Sequence, residues 1–417
     1  MMRALLMTRS WATTREGAAT ASSATQTNAN RLFMAREYAF RFCFVYFALW
    51  SAATQVLGGL TMTPFGTLPA LGPHWPMRGI TEWIGTHLFG VAATFVPGNS
   101  ADTLFYWVQT FWIFCVALVA AAIWVRLKPD TAGRTFKIFL RFALAAQMFY
   151  FGMAKIIPTQ FVPPALTTLV QPIGNAPLST LLWIFMGASL PYQIFTGLAE
   201  VLAGLLLIWP RTATIGALIA LVDMIQVFAL NMAYDVGLKQ ISFHFIVMAL
   251  LLVAWRPEPR RWRAQIAVGL YLLAMFTLLQ VRQWHAPEGP AHPRSALYGI
   301  WDIEELSIDG DVHPAVLNDY DRRWRRAIFD FPGRMAFQRT DDSLARYDVS
   351  IDEGERRLTL MKGATWKAPF TFERPADDQL ILNGTMDGHA IRMRLSLVGL
   401  DAFPLLNSRF RWVRPPD

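Results

Sequence analysis

Four long apolar runs dominate the chain between Ile138 and Trp255. Each is long enough to cross a bilayer, which takes roughly 20 apolar residues. These runs are interrupted by polar side chains, which a purely structural membrane helix does not need. They are Gln147, Lys155, Glu200, Asp223, Asn231, Asp235, Lys239 and His244. Because such residues are costly in lipid and usually face the bundle interior, the sequence predicts a polar site inside a membrane protein.

Length and apolarity predict seven membrane spans. The predicted spans are residues 38–60, 104–125, 138–157, 192–209, 213–233, 238–255 and 266–281. Two shorter pieces, residues 81–91 and 181–189, are expected to be interfacial or re-entrant helices, because Pro191 separates the second one from the fourth span.

The distribution of charge predicts the orientation of these spans. Residues 1–286 carry 20 Lys and Arg against 9 Asp and Glu, whereas residues 287–417 carry 18 against 21. Basic residues collect in alternate loops, while the loop at 158–190 has no charge. The positive-inside rule then places the N-terminus in the cytoplasm and the C-terminus outside a bacterial inner (plasma) membrane. The basic excess is explained by orientation, so we expect no nucleic-acid partner.

The chain changes character after Gln283. Residues 287–296 form a Pro-containing linker, and residues 297–417 alternate short apolar-polar stretches with Asp-Gly, Pro-Gly and Asn-Gly turns. This pattern is typical of an antiparallel barrel or sandwich. Gly299 and Trp301 near the start, with Arg411 near the end, resemble the closure of lipocalin-type barrels.

The expected fold class is therefore a mainly α membrane protein, a seven-span bundle followed by an extracytoplasmic antiparallel β-barrel. Residues 1–35 are expected to be a disordered cytoplasmic tail, because they are rich in Ala, Ser and Thr and lack an apolar signal segment. The domains then follow as 36–134 (two helices and an outer loop), 135–255 (a four-helix core), 256–286 (the seventh helix), 287–296 (linker) and 297–417 (barrel).

Glu200 and Asp223 are the candidate catalytic acids. They lie at similar depth in consecutive antiparallel spans, roughly 13 and 15 Å from the cytoplasmic ends at 1.5 Å per residue. If they touch, one of them is expected to hold a proton and to relay it. A protonated hydrogen bond that only joins two helices is the alternative interpretation.

The other polar residues are expected to line a cavity that opens to the outer side. Gln147, Lys155, Asn231, Asp235 and Lys239 are the candidate cofactor-binding residues. His244, the one histidine inside a predicted span, is the third candidate catalytic residue. Aromatic surfaces beside a buried acid and a histidine suit the ring and carbonyl groups of a quinone. Snorkelling lysines and, for Asp235, a simple turn are the alternatives.

Several other chemistries are excluded or lack support. Cys43 and Cys115 both fall in apolar runs, so a disulfide framework, a zinc site and a CxxC redox motif are excluded. A metal site has no support from ligand spacing, and no Gly-rich phosphate loop or hydrolase motif occurs.

Residues 135–255 resemble the DoxX-type membrane family. The resemblance rests on YFGMAKIIPTQF, on the Gly-x-x-Glu of GLAEVLAG and on LNMAYDVGLKQISFHF. It also extends, distantly, to the membrane parts of vitamin-K-dependent carboxylases. The resemblance implies a four-helix membrane bundle, and the best understood type of DoxX member is a thiosulfate:quinone oxidoreductase subunit.

Three functional hypotheses follow. The first is a quinone-linked oxidoreductase or a subunit of one, with the lipid bilayer, a quinone and a partner redox subunit as partners. The second is a non-enzymatic anchor or escort that presents a barrel binding a lipid or a peptide. The third is a proton-coupled transporter that uses the same buried acids.

Overall fold

The computed structural model describes residues 31, 33–98, 100–127, 133–255, 262–287, 289–291, 293–314 and 323–407. These residues form two compact units. The first unit contains the chain up to Phe151 together with Ala199–Phe276, and the second contains Gly152–Leu198 and the chain from Thr277 onward. The predicted tail 1–35 (save residues 31 and 33–35, which are helical) and Arg411 lie outside the described residues.

The described regular structure before Trp284 is helical. They are α1 (33–53), α2 (Gln55–Leu60), α3 (Met77–Leu88), α4 (Leu104–Leu127), α5 (Gly133–Ile156), α6 (Leu166–Leu169), α7 (Leu178–Ala188), α8 (Leu190–Ile208), α9 (Ala213–Ala233), α10 (Lys239–Ala254) and α11 (Trp262–Trp284).

Five of the described helices are long and apolar enough to cross a membrane, namely α4, α5, α8, α9 and α11. They coincide with five of the seven predicted spans, so the chain is a membrane protein. The other two predicted spans are not established. The first is interrupted at Thr54, where α1 ends and α2 begins. The other is α10, whose 16 residues reach about 24 Å at 1.5 Å per residue, short of a hydrocarbon core of about 30 Å.

The two short pieces are helices, and a break at Ser189, just before Pro191, separates the second piece from the fourth span as predicted. The predicted interfacial stretches become α3 and α7, of 12 and 11 residues. Pro191 lies in the first turn of α8, where a residue without an N–H is tolerated because that group has no partner within the helix. The fourth predicted span therefore begins earlier than expected.

Small residues allow α5 and α8 to pack closely on both sides of Glu200. In the first unit, a Cβ on Gly204 would lie 2.5 Å from the Phe149 ring. In the second unit, a Cβ on Gly197 would lie 2.7 Å from the carbonyl oxygen of Gly152. Both distances are shorter than van der Waals contact, so larger residues at these positions would push the helices apart.

The predicted barrel is confirmed, and it closes with eight long antiparallel strands. The strands are β1 (Gly299–Ile308), β2 (Asp311–Val312), β3 (Trp324–Phe329), β4 (Arg334–Arg339), β5 (Leu344–Asp352), β6 (Arg357–Lys362), β7 (Trp366–Ala376), β8 (Gln379–Met386) and β9 (His389–Leu397). β1 pairs with β3, each later strand pairs with the next, and β9 returns to β1. The two-residue β2 pairs only with the end of β1.

Apolar side chains from the strands fill the barrel interior. Trp301 is a member of this core and is 1% exposed, and its indole N–H donates to the carbonyl oxygen of Leu297 at 2.9 Å. Among the described residues, the Arg374 guanidinium lies over the Trp301 ring, 5.8 Å from its centroid. Arg411, which is expected at a closure of this type, lies outside the described residues. Arg374 lies in β7, and its approach to Trp301 depends on strand pairing that the sequence pattern does not reveal.

The loop between α5 and α7 packs on the outside of the barrel, within the second unit. Leu166 of α6 forms a small apolar cluster with Ile300 and Ile328. The backbone N–H and the hydroxyl of Thr167 both donate to Asp330, at 3.3 Å each. Gln338 donates its side-chain amide to the carbonyl oxygen of Val170 at 2.9 Å. Apolar burial and polar contacts together hold the barrel against this loop.

Replacing Trp301 is expected to loosen the barrel. Trp301→Ala removes a fully buried ring, which costs roughly 3–5 kcal/mol of folding free energy. Trp301→Phe retains most of the apolar volume and loses one hydrogen bond, a loss of about 1 kcal/mol. Pulse proteolysis of the full chain in detergent over a urea series measures both. Equal protease resistance of the two variants would contradict a structural role for the indole ring.

Candidate functional site

His244 lies in an aromatic cluster within the helical unit. It is 4% exposed, and the ring stacks on Trp50 of α1 with centroids 4.2 Å apart and an interplanar angle of 2°. The His244 Nε2 atom is 2.6 Å from the Tyr46 hydroxyl, and Nδ1 is 2.6 Å from the carbonyl oxygen of Gln240. A carbonyl only accepts, so Nδ1 carries a proton, and Nε2 accepts from Tyr46 in the neutral ring.

These contacts change what can be expected of His244. Both ring nitrogens already have partners within the protein, so a quinone oxygen would have to displace the Tyr46 hydroxyl to reach Nε2. The role of His244 toward a quinone stays a prediction. What the structure establishes is a buried phenol–imidazole pair that joins α1 to α10.

Two of the candidate cofactor-binding residues, Asn231 and Gln147, also hold helices together. Asn231 near the end of α9 donates its amide to the Ser242 hydroxyl of α10 at 3.2 Å, and also to the carbonyl oxygen of Leu238 at 3.3 Å. Gln147 of α5 is buried and accepts from the Gln55 amide of α2 at 3.0 Å. Their side-chain amides therefore form hydrogen bonds to neighbouring helices and to the turn before α10.

Asp235 and Lys239 form an ion pair at the turn between α9 and α10. The Lys239 ammonium lies 2.7 Å from the Asp235 carboxylate, whose side chain is 84% exposed. The hydrogen bond and charge of Lys239 hold the pKa of Asp235 below its ordinary value. Asp235 has a φ of 51°, a left-handed conformation that Asp tolerates in turns. This geometry agrees with the turn interpretation of Asp235, and the two residues compensate each other's charge.

Asp102 positions the start of α10, and it was not among the residues predicted from the sequence. Its two carboxylate oxygens accept the backbone N–H groups of Lys239 and Gln240, at 2.7 and 2.9 Å. These N–H groups belong to the first turn of α10, so Asp102 caps that helix from a distant loop. Ser100 supports the same arrangement by donating to the carbonyl oxygen of Gly237 at 2.9 Å. The available signal was a lone acid just before a long apolar run.

The remaining candidates stay predictions. Glu200 on α8 is 1% exposed, and Lys155 at the end of α5 is 6% exposed. Asp223 on α9 is half-buried. Each has further interactions within the protein. A proton relay through Glu200 and Asp223, and a shared cavity with Lys155, are therefore neither confirmed nor contradicted. Among the described residues, no group of three His, Cys, Asp or Glu side chains is placed to hold a metal ion.

A cleft of about 390 Å³ opens on the outer face of the barrel across β3–β6, within the second unit. Its lining combines the loop residue Thr167 with barrel residues of both charges and with apolar side chains. The barrel residues of the lining are Ile328, Asp330, Phe331, Arg334, Met335, Ala336, Arg346, Tyr347, Asp348, Met361, Lys362 and Gly363. The Tyr347 phenol is neutral at neutral pH, and burial raises its pKa further, so the group is a hydrogen-bond donor.

Strand register explains the shape of the cleft. Met335 and Phe337 point into the barrel core, so Ala336 between them points outward. Ala336 pairs with Ile328 on one side and with Arg346 on the other. A small residue between two larger ones leaves a depression, and α6 covers Ile328 at its edge. No barrel residue was a candidate in the sequence, because register decides which side chains become neighbours.

Comparison with known proteins yields one relative. The chain is 34% identical over 119 residues to YwoB of Bacillus subtilis (strain 168), described only as an uncharacterized protein. The similarity covers 28% of this chain and 73% of YwoB. No protein-family model matches the chain, and neither does any solved structure. The DoxX resemblance therefore stays a prediction.

Removing the Tyr46 hydroxyl is expected to destabilise the helical unit. Tyr46→Phe leaves Nε2 of the buried His244 without its donor, which costs about 1–3 kcal/mol. Tyr192→Phe is the matched control, because this tyrosine is 40% exposed. Thermal unfolding in detergent, followed by far-ultraviolet circular dichroism, compares the two. Equal midpoints would show that the phenol–imidazole bond contributes nothing.

Asp102→Ala is expected to fray the start of α10. The loss of a helix cap costs about 0.5–2 kcal/mol, and Asp102→Asn is the milder control because it keeps one acceptor oxygen. Hydrogen exchange read by mass spectrometry should show faster exchange at the amides of Lys239 and Gln240 in the alanine variant. Unchanged exchange at these two amides would contradict the capping role.

Proposed function

Because the chain belongs to the same family as YwoB, whose description names no activity, we propose a function from the geometry of the chain itself. The protein is a membrane-anchored binding protein, in which apolar helices anchor a β-barrel whose outer cleft takes a small ligand. This is the anchor-or-escort hypothesis, with the ligand site on the outside of the barrel. The apolar packing of the barrel interior favours an outer site over a lipocalin-like inner one.

One observation carries this proposal. The cleft is built jointly by the barrel and by the loop that follows the membrane helix α5, with Thr167 and Asp330 joining the two. A volume of about 390 Å³ lies within the range of about 300–1,000 Å³ that is usual for small-molecule sites. A site fixed to an anchoring loop suits a protein that holds its ligand near a membrane.

The proposal includes an orientation. The loop at 158–190 has no charge while alternate loops are basic, so the N-terminus is cytoplasmic and the barrel is extracytoplasmic, in a bacterial inner membrane. The packing of α6 on the barrel supports one part of this arrangement, because it requires the α5–α7 loop and the barrel to share one side.

A quinone-linked redox role, alone or with a partner subunit, is the second candidate. The observation that favours it is the buried Tyr46–His244 pair beside the face of Trp50. If a quinone oxygen displaced the Tyr46 hydroxyl from Nε2, the phenol and the imidazole would supply a proton donor and acceptor among aromatic side chains. Glu200 and Asp223 would carry the proton onward in this role or in proton-coupled transport.

Molecules that co-purify with the protein distinguish the candidates. We expect Ala336→Trp, which fills the floor of the cleft, to abolish the co-purification of a small molecule that the wild type carries. Thr371→Trp is the control, because it places the same ring on the outer face of β7, outside the cleft. Solvent extraction of the protein from native-lipid discs, followed by mass spectrometry, provides the measurement.

Two outcomes would count against the binding role. One is an identical set of bound molecules in the wild type and in Ala336→Trp. The other is a bound quinone that is lost in His244→Phe and retained in Ala336→Trp, which would favour the redox candidate.

A further inference from the structure

The charges of the cleft point to the class of its ligand. Arg334, Arg346 and Lys362 face it with positive charge, whereas Asp330 and Asp348 contribute negative charge. Asp330 already accepts two hydrogen bonds from Thr167. Asp330 is thus used to hold α6 on the barrel. The three basic side chains of the cleft then outnumber the remaining carboxylate, Asp348.

The guanidinium N–H groups of Arg334 and Arg346 are available to a ligand. Within the part of the chain that the structure describes, neither Arg334 nor Arg346 has a side-chain hydrogen bond or an ion pair. Two other barrel arginines are paired, since Arg326 lies 2.6 Å from Asp302 and Arg394 lies 3.2 Å from Glu305. A guanidinium carries five N–H donors in a planar fork that matches the oxygens of a phosphate.

Register places both arginines at the same depression. Arg346 pairs with Ala336, the floor residue, and Arg334 lies two residues before Ala336 on the same face of β4. Asp348, the cross-strand neighbour of Arg334, pairs in turn with Met361. The cleft therefore has a polar edge of two guanidinium groups and a floor and far side made by Ala336, Ile328 and Met361.

We propose that this cleft binds a phosphate-bearing ligand, with Arg334 and Arg346 contacting the phosphate oxygens and the apolar floor contacting the attached carbon groups. The inference rests on the proposed binding role of the barrel and adds the chemical class of the ligand. A phospholipid headgroup and a free phosphate ester share this chemistry. Thr167 lies eleven residues after the end of α5, a reach of at most about 37 Å from the membrane helix, so a headgroup is within range.

Binding of two probes tests the proposal. The full chain in a non-ionic detergent is titrated calorimetrically with inorganic phosphate, and separately with dihexanoyl phosphatidylglycerol below its micelle concentration. We expect at least one probe to bind, and we expect Arg346→Gln and Arg334→Gln each to weaken that binding about 10-fold or more, because each removes charged hydrogen bonds. Arg392→Gln, an exposed arginine on the distant strand β9, should leave the affinity unchanged.

The result also identifies the source of the ligand. Binding of inorganic phosphate that competes with the lipid probe indicates a free phosphate compound, and binding of the lipid probe alone indicates a headgroup; both support the proposal. Binding of neither probe, or binding that both arginine variants retain in full, overturns it. If a phosphate-free molecule co-purifies and is lost in Ala336→Trp, the ligand class is wrong while the binding role stands.

Discussion

A polar group that leaves water must find a partner, and this requirement organises the helical part of the protein. The cost of an unmade hydrogen bond is largest in an apolar surrounding, where no water can replace the lost partner. His244, Asn231 and Gln147 all lie in apolar helices, and each is bonded to a group on another helix or on a neighbouring turn. The polar residues that mark the sequence as unusual therefore hold particular helices together, whatever further chemistry they perform.

The same requirement explains how short segments outside the helices are positioned. Asp102 receives two N–H groups at the start of α10, where a helix has donors without partners of its own. On the barrel, Asp330 receives two groups of Thr167 and Gln338 reaches a carbonyl of the same loop. In both places a side chain forms hydrogen bonds with backbone groups of a segment that is distant in the sequence. These bonds fix the position of a loop.

The barrel and the helices suggest different roles for the two kinds of polar residue. In the helices, His244, Asn231 and Gln147 form hydrogen bonds to other parts of the protein, and these bonds stabilise helix packing. Among the described residues, the side chains of Arg334 and Arg346 at the outer cleft of the barrel make no hydrogen bond or ion pair, and they lie beside small and apolar side chains. This contrast is why the binding role proposed for the protein is centred on the barrel.

The sequence by itself determined the elements. Of the seven spans that the apolar runs predicted, five are described helices long enough to cross a membrane, and α9 has the predicted bounds of residues 213–233. Period-two alternation and turn residues predicted the antiparallel barrel, because both are local properties of the chain.

Only the tertiary structure decided which residues meet. A partner of His244 is Tyr46, 198 positions away in the chain, and Arg374 of β7 lies over the ring of Trp301 in β1. The cleft depends on pairing Ile328 with Ala336 and Ala336 with Arg346. A hydropathy pattern shows which face of a strand or helix is buried, but it carries no information about register or about long-range partners. For this reason the sequence could predict a membrane protein with a barrel, whereas the candidate binding site emerged only from the fold.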